Sequence, residues 1–378
     1  MKKVYLMTPG PTPVPDDVRL AEAKPIIHHR TPEFVEIYER VSEDLKLVFK
    51  TRNVVLTFLS SGTGAMEGAV ANTLSPGDRA LCITGGKFGE RWSEICRAYG
   101  IEVVSLNVDW GDYARPEQVR QLLGQYPDIK AVFTALCETS TGTLFPIKEY
   151  GEIVRRRENT LLIVDAVSGL GACDLRTDEW AVDICVSGSQ KGIMLPPGLA
   201  FASVSDKAWK FTETSTCPKY YFDFKKANKA LEKRSPTAYT PGVSLVVALD
   251  KALSMLKGEG IDNVLERHAK LARATREGVK ALGLTLFSKN PANAVTAIDI
   301  PPGIDGSALK NTLDKKYGVK VAGGQAHLKG KIIRIAHLGY MGQFDVITAL
   351  SALELSLKDL GYGVILGKGV ARAMEILK

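Results

Sequence analysis

Short apolar runs alternate with amphipathic stretches from about residue 50 of this chain, and this alternation constrains the fold more than any other feature. Several runs, for example residues 161–164, are apolar throughout, as expected for strands whose two faces are both covered by helices. The pattern predicts an α/β domain with a mainly parallel sheet. The predicted strands are 54–59, 79–84, 102–108, 130–135, 160–164 and 182–187, with helices at 65–74, 91–99, 116–125 and 147–157.

The pattern changes after about residue 240. Two long helices are predicted at 243–256 and 264–282, followed by a smaller α+β segment with strands near 294–300 and 331–336 and helices near 307–317 and 345–360. A chain of 378 residues is long enough for about two or three domains. We therefore predict an N-terminal arm (1–14), a large domain (15–240), and a linker helix with a small C-terminal domain (241–378).

Charge and composition argue against several classes of protein. The 49 basic and 42 acidic residues give a net charge of +7 that is spread along the chain, whereas nucleic-acid binders concentrate their charge. No apolar stretch approaches the roughly 20 residues that span a bilayer, and the first one is too short for a secretion signal. The six cysteines and five histidines show no metal-ligand spacing. These features predict a cytoplasmic protein without a metal, a nucleic-acid partner or a membrane partner.

Polar residues follow three of the predicted strands, at the ends where open α/β sheets bind ligands. Residues 60–64 (Ser-Ser-Gly-Thr-Gly) enter a helix and suit a phosphate, although they match neither a P-loop nor a dinucleotide fingerprint. Asp165 ends an apolar strand, where a carboxylate needs a partner. Lys191 lies among Gly and Ser, where desolvation would make its amine a Schiff-base nucleophile.

Each of these three features also has an ordinary structural explanation: a strand-to-helix turn, a helix cap and a solvated charge. Together, however, they supply a phosphate cradle, a buried acid and a reactive amine. Pyridoxal 5′-phosphate requires that set of groups from the protein that binds it. The sequence therefore predicts a site for this cofactor at one edge of the sheet.

Seven short motifs then carry a resemblance to a known family. They are TPGPT (8–12), SGTG (61–64), ETSTG (138–142), VDAVS (164–168), GSQKG (188–192), YTP (239–241) and RIAHLG (334–339). Through them the chain resembles the class V aminotransferases of pyridoxal phosphate fold type I, closest to the alanine–glyoxylate/serine–pyruvate (serine–glyoxylate) aminotransferases. The resemblance covers nearly the whole chain, and it implies that the N-terminal arm contributes to the active site and that the large domain binds the cofactor.

The resemblance implies two catalytic residues. Lys191 would form the Schiff base with the cofactor and then carry the proton between the amino acid Cα and the cofactor C4′. Asp165 would keep the ring nitrogen of the cofactor protonated, so that the ring withdraws electrons. Both residue types stand at the positions where the family motifs have them.

The resemblance also implies a set of binding residues. Phe88 would stack on one face of the ring, where many relatives have Trp, and Val167 would press on the other. The remaining contacts would be Thr139 to the phenolic oxygen and to substrate; Thr63, Gly64, Ala65 and Gln190 to the phosphate; Tyr239 and Thr240 to the phosphate from the partner subunit; Arg334 to the substrate carboxylate; and the backbone of Gly10 to substrate. Either Tyr239 or Thr240 could make the phosphate contact.

The function implied is a homodimeric aminotransferase that moves the amino group of serine or alanine to glyoxylate or pyruvate by a ping-pong mechanism. A phosphoserine-type aminotransferase or a lyase on the same fold remains open. A cysteine desulfurase is disfavoured, because Gln190 precedes Lys191 and no cysteine follows Cys217. A nicotinamide-dependent dehydrogenase lacks its glycine fingerprint, and a non-enzymatic basic binding protein has no need of Lys191 and Asp165. Arg334 could instead pair with a structural carboxylate, and Phe88 could be a core aromatic.

Overall fold

A seven-stranded sheet lies at the centre of this computed structural model, which describes residues 3–233 and 237–378. In chain order the strands are β1 (Tyr5–Leu6), β2 (Val54–Leu59), β3 (Arg79–Thr84), β4 (Glu102–Asn107), β5 (Ile129–Ala135), β6 (Cys137–Glu138), β7 (Thr143–Leu144), β8 (Leu161–Asp165), β9 (Ile184–Gly188), β10 (Leu199–Val204), β11 (Val295–Asp299), β12 (Val319–Lys320), β13 (Ala322–Gly323) and β14 (Ile332–Ala336). The central sheet has the order β2-β10-β9-β8-β5-β3-β4, and β10 runs antiparallel to both of its neighbours while the other pairs are parallel. This arrangement confirms the predicted α/β fold with a mainly parallel sheet.

Helices pack on both faces of the central sheet. In chain order the helices of the molecule are α1 (Asp16–Glu22), α2 (Pro32–Phe49), α3 (Gly62–Thr73), α4 (Lys87–Ala98), α5 (Pro116–Gln125), α6 (Ile147–Val154), α7 (Asp206–Thr214), α8 (Phe224–Glu232), α9 (Val243–Glu259), α10 (Ile261–Ala281), α11 (Gly306–Asn311), α12 (Gln343–Asp359) and α13 (Lys368–Leu377), and α10 to α13 pack on one another and on the C-terminal strands instead. Strand β8 shows why its sequence lacks polar alternation: Leu162 and Val164 pack into one core, and Leu161 and Ile163 pack into the other. Both faces of the strand are therefore buried.

Strand β10 is the main departure from the predicted order of elements. The chain leaves β9, passes through residues 189–198 without a helix, and returns antiparallel between β9 and β2. Alternating strands and helices predict parallel crossovers, so a strand that returns without a helix breaks the pattern from which the sheet was predicted. Helices α1, α2, α7, α8 and α13 were also not among the predicted elements.

The C-terminal part of the chain forms a second, three-stranded sheet of order β11-β14-β13. The N-terminal segment runs beside it: β1 pairs in parallel with β12, and the Ala336 N–H at the end of β14 donates to the carbonyl of Met7 at 2.9 Å. The domain boundary near residue 240 stays a prediction, and residues 234–236 next to it lie outside the described residues. In the described residues, no helix has the length and apolarity that a bilayer crossing requires.

Candidate active site

A cavity of about 180 Å³ lies at the carboxyl ends of the parallel strands. The ends of three strands meet there. Thr63 lies in the first turn of α3, which follows β2, while Asp165 is the last residue of β8 and Lys191 follows β9. The predicted phosphate cradle, acid and amine therefore share one cavity. Its lining consists of Gly10, Pro11, Ser61, Gly62, Thr63, Met66, Phe88, Arg91, Thr139, Asp165, Val167, Ser168, Gln190, Lys191 and Pro197.

Lys191 is held in this cavity by the N-terminal arm. Its Nζ donates to the carbonyl of Pro9, and Thr12 Oγ1 donates to the Lys191 carbonyl at 3.1 Å. Between them, Gly10 has a φ of +133°, and a Cβ there would lie 2.4 Å from the Lys191 Nζ, so only glycine fits. Burial lowers the pKa of Lys191 to about 8, against the opposing effects of Cys137 and Asp165. The amine is thus neutral in a substantial fraction of molecules near neutral pH.

Asp165 is a buried carboxylate with capacity to accept a further hydrogen bond. Burial raises its pKa to about 6, although the Val167 N–H donates to its Oδ1 at 2.7 Å and stabilises the charged form. Within residues 3–233 and 237–378, no group donates to Oδ2 and no cation forms an ion pair with this carboxylate. A cationic N–H in the cavity would meet the partner that a buried carboxylate needs.

The cavity fits pyridoxal phosphate in three further respects. Gln190 lines the cavity, and because its buried carboxamide oxygen has no partner among the described residues, the group can turn its NH2 donors toward a phosphate. The N-terminus of α3 faces the cavity through Gly62 and Thr63, and the N-cap residue Ser61 leaves the helix start uncapped by its side chain, as a phosphate-binding helix start requires. Gly62 also lets Val167 approach, since a Cβ there would lie 2.6 Å from Val167 Cγ2. These residues could hold the phosphate and one face of the ring.

Five of the predicted site residues lie outside this lining. Gly64 and Ala65 lie in the first turn of α3, where Gly64 packs against Ser60 and Phe222. Tyr239 and Thr240 line a separate surface region instead: the Tyr239 hydroxyl donates to the Tyr220 carbonyl at 3.1 Å. A single chain therefore does not bring Tyr239 and Thr240 to its own cavity.

Arg334, the fifth, lies on β14 behind the cavity wall. Its guanidinium donates to the carbonyl of Gly323 at 3.1 and 2.7 Å and to the carbonyl of Thr139 at 2.8 Å. No carboxylate in the described chain pairs with it, so the alternative of a structural ion pair receives no support. Burial lowers the pKa of Arg334 to about 10. Its direct partners are carbonyl groups, and the Glu138 carboxylate opposes the pKa shift only through space, so an anionic ligand could still pair with the guanidinium directly.

Arg91 and Ser168 also line the cavity and had no predicted role, although each contacts a predicted site residue. The Arg91 guanidinium lies 4.9 Å from the centre of the Phe88 ring, and its Nη1 donates to Thr63 Oγ1 at 3.1 Å. Arg91 follows Phe88 by three positions on α4, and that spacing could have placed both on one helix face. Ser168 accepts the Thr139 hydroxyl at 2.5 Å and was already part of the VDAVS motif.

Comparison with known proteins identifies a family whose members resemble this chain. The sequence profile described as "Aminotransferase class-V" matches residues 4–341. The chain is 38% identical to a serine–glyoxylate aminotransferase of Hyphomicrobium methylovorum, with 98% of this chain and 94% of the relative covered. It is also 43% identical to a protein of a Synechococcus strain that is named as the small subunit of a soluble hydrogenase, with 99% and 98% covered.

A solved structure supports the same comparison. The fold superposes on the ureidoglycine–glyoxylate aminotransferase of Bacillus subtilis with a TM-score of 0.95 at 30% sequence identity, covering 100% of this chain and 98% of that one. The agreement extends over the central sheet, the second sheet and the segments between them.

Proposed function

The chain belongs to the class V aminotransferase family, and we propose that it moves the amino group of serine or alanine to glyoxylate or pyruvate by a ping-pong mechanism. The protein is a transaminase, and its cofactor is pyridoxal 5′-phosphate. The observation that carries the proposal is the shared cavity of Lys191, Asp165 and the start of α3. The Hyphomicrobium and Bacillus relatives are both named with glyoxylate, while serine appears in one name and ureidoglycine in the other.

Lys191 and Asp165 divide the proton chemistry. When bound, pyridoxal phosphate supplies an electron-withdrawing ring and carries the amino group between the two half-reactions. Lys191 removes and returns the proton at the substrate Cα, since its lowered pKa lets the amine act as a base near neutral pH. Asp165 holds a proton at the ring nitrogen through the carboxylate oxygen that Val167 does not occupy.

Neighbouring side chains bind and orient the reactants. Phe88 and Val167 would cover the two faces of the bound ring, Thr139 would bind its phenolic oxygen, and Gln190 would contribute to the phosphate cradle. Arg334 binds the carboxylate that every amino acid and 2-oxo acid substrate carries, because a planar guanidinium can donate two parallel hydrogen bonds to it. The Gly10 backbone lies next to the lysine amine and would contact the substrate there.

Two copies of the chain share their sites in this proposal, with Tyr239 and Thr240 reaching the phosphate of the partner. These residues lie beside an exposed, largely apolar surface that includes Ile26 and Tyr220, which are 75% and 72% exposed. A second copy would cover that surface. Mixing Lys191→Ala protein with Thr240→Ala protein should then restore activity above either variant alone, and a mixture without any gain would place both groups in one chain.

Absorbance spectroscopy tests the reaction itself. The purified protein should show the visible band of lysine-bound cofactor, lose it on addition of L-serine or L-alanine, and regain it with glyoxylate. A band that phosphoserine bleaches and serine does not would favour the phosphoserine-type alternative. A band that no amino acid bleaches would favour a lyase, and the absence of any band after added pyridoxal phosphate would contradict the proposal.

A further inference from the structure

Glu138 is a buried carboxylate that the mechanism above does not use. Its side chain is 1% exposed, and four donors surround it. Oε2 accepts the N–H groups of Gly89 at 2.8 Å and Phe88 at 3.1 Å, while Oε1 accepts the N–H of Ser140 at 3.1 Å and its hydroxyl at 2.5 Å. Burial raises the pKa of Glu138, and these hydrogen bonds oppose that shift; no cation in the described part of the chain forms an ion pair with it, although it interacts with the Arg334 charge through space.

Three backbone donors to the side chains of Glu138 and Ser140 belong to the first turn of α4. Phe88 and Gly89 donate to the carboxylate, and the Lys87 N–H donates to Ser140 Oγ at 3.1 Å. An acid at a helix N-terminus meets both the unpaired N–H groups and the positive end of the helix dipole. Gly86 permits this close approach, since a Cβ there would lie 2.4 Å from Glu138 Cδ and 2.3 Å from Ser140 Oγ.

Both partners that Glu138 joins contribute walls of the cavity. Helix α4 carries Phe88 and Arg91 into the cavity lining. On the other side, Thr139 lies between Glu138 and Ser140, lines the cavity, and accepts the Arg334 guanidinium through its carbonyl. One carboxylate therefore connects the aromatic cover, the turn and the buried arginine.

We propose that Glu138 is a positioning residue: it fixes the start of α4 against the 138–140 turn and so holds Phe88, Thr139 and Arg334 in the arrangement that binds cofactor and substrate. The proposal rests on the proposed function for what those three residues bind. The proposal explains why these three residues are arranged as they are, and the seven sequence motifs do not explain that arrangement. Removing the carboxylate leaves its buried donors unsatisfied and frees the helix start to shift.

The chain offers a matched control in Glu354. That carboxylate is also buried, accepts the N–H groups of Gly369 at 2.8 Å and Val370 at 3.0 Å, and so caps the first turn of α13. Helix α13 packs on α10 and α12, and none of these three helices contributes to the cavity lining. Glu138 and Glu354 thus share their local physics and differ in what their helices carry.

The experiment compares Glu138→Ala with Glu354→Ala in the full chain. Both variants should lower the melting temperature of the protein by a similar amount. Only Glu138→Ala should weaken cofactor binding, measured by titrating the apoprotein and following fluorescence, by about tenfold, and lower kcat/KM by about a hundredfold. Unchanged cofactor affinity and kcat/KM in a folded Glu138→Ala protein would reduce Glu138 to a structural cap and overturn the proposal.

Glu138→Gln keeps the test decisive if the alanine variant does not fold. The amide retains one oxygen for Phe88 and Gly89 but loses the charge, so cofactor affinity should fall by a smaller factor, and a variant equal to wild type in both affinity and KM overturns the proposal. Amide hydrogen exchange separates this outcome from failure of the proposed function. Faster exchange in the first turn of α4 is expected in the apoprotein variants even if the wild type has no transaminase activity, and unchanged exchange there contradicts the inference on its own.

Discussion

Two buried aspartates lie at opposite ends of the neighbouring strands β8 and β9, and their surroundings differ. Asp183, at the amino end, accepts the Leu162 N–H at 2.9 Å and the Ser205 hydroxyl at 3.1 Å, and it pairs with Lys207 at 3.5 Å. Asp165, at the carboxyl end, receives only the Val167 N–H among the described residues. One acid is satisfied inside the protein, while the other keeps capacity for a ligand.

The lysines show the same contrast. Lys207 donates to the Thr160 carbonyl at 2.5 Å and reaches Asp183, whereas Lys191 forms no ion pair with a carboxylate in the described residues. Each end of the strand pair has a lysine and an aspartate, but only the amino end joins them into an ion pair. A buried acid and a buried amine that do not pair with each other indicate the end of the sheet that binds a ligand. An ion pair between them would satisfy both groups and leave neither available to the ligand.

The largest effect is expected at the two lysines. Lys191→Ala should lower kcat by about four orders of magnitude or more, because the variant has neither the amine for the cofactor nor the base for the Cα proton. Lys207→Ala should leave kcat unchanged and lower only the melting temperature. Steady-state kinetics and thermal melts check both variants, and transamination by Lys191→Ala at the wild-type rate would contradict the assignment.

The aspartates should separate activity from stability in the same way. Asp165→Asn should lower kcat by about a hundredfold, since a neutral amide cannot hold a proton on the ring nitrogen, with little loss of folding stability. Asp183→Asn should leave kcat per folded molecule intact and lower the free energy of unfolding by about 1–3 kcal/mol. Chemical denaturation with kinetics on the same samples measures both. Equal loss of activity in the two variants would contradict the claim that only the carboxyl end of the strand pair carries catalytic groups.

The buried Arg334 and the half-buried Arg276 give a smaller, more selective effect. Arg334→Lys should raise KM for the amino acid and the 2-oxo acid by about tenfold, since an ammonium cannot donate two parallel bonds to a carboxylate. The control is Arg276, which does not line the cavity and donates to the Ala292 carbonyl at 3.1 Å. Arg276→Lys should leave both KM values unchanged. Donor affinity that survives Arg334→Lys unaltered would remove Arg334 from the substrate site.

The smallest effect is a pH dependence that follows from the lowered pKa of Lys191. Only the neutral amine captures the cofactor aldehyde, so capture by apoprotein should accelerate with rising pH and level off above the pKa of about 8. Between about pH 7 and pH 8 the neutral fraction, and with it the rate, should rise about fivefold. Rapid mixing with absorbance detection follows the rate. A rate still climbing steeply above about pH 10 would mean that Lys191 titrates like a free lysine.

The sequence predicted those parts of the site that depend on one strand end at a time. Asp165 and Lys191 each stand out because a polar residue ends or follows an apolar run, and parallel strands bring such ends together. The connection made by Glu138 was not predictable in this way. Two of its donors are the backbone N–H groups of Phe88 and Gly89, about fifty positions away, and any residue type except proline at 88 would supply the same donor.

The antiparallel direction of β10 and the location of Tyr239 could not be predicted from the sequence, for related reasons. An apolar run indicates a strand but carries no direction, so only the missing helix before β10 could have suggested a return of the chain. Tyr239 was assigned from a motif, and a motif does not say which copy of the chain receives the side chain. Its contact with the Tyr220 carbonyl depends on how distant segments pack.

The N-terminal arm has a consequence for how the protein is made. Its partners on β12 and at Ala336 are synthesised near the other end of the chain, on the order of tens of seconds after the arm itself. Until those residues leave the ribosome, the bonds of the arm are those to residues 190–191, where the Thr12 N–H donates to the Gln190 carbonyl and the Thr12 hydroxyl donates to the Lys191 carbonyl. The β1 end of the arm that holds the Lys191 amine is therefore fixed in place only after residues 319–336 have been made.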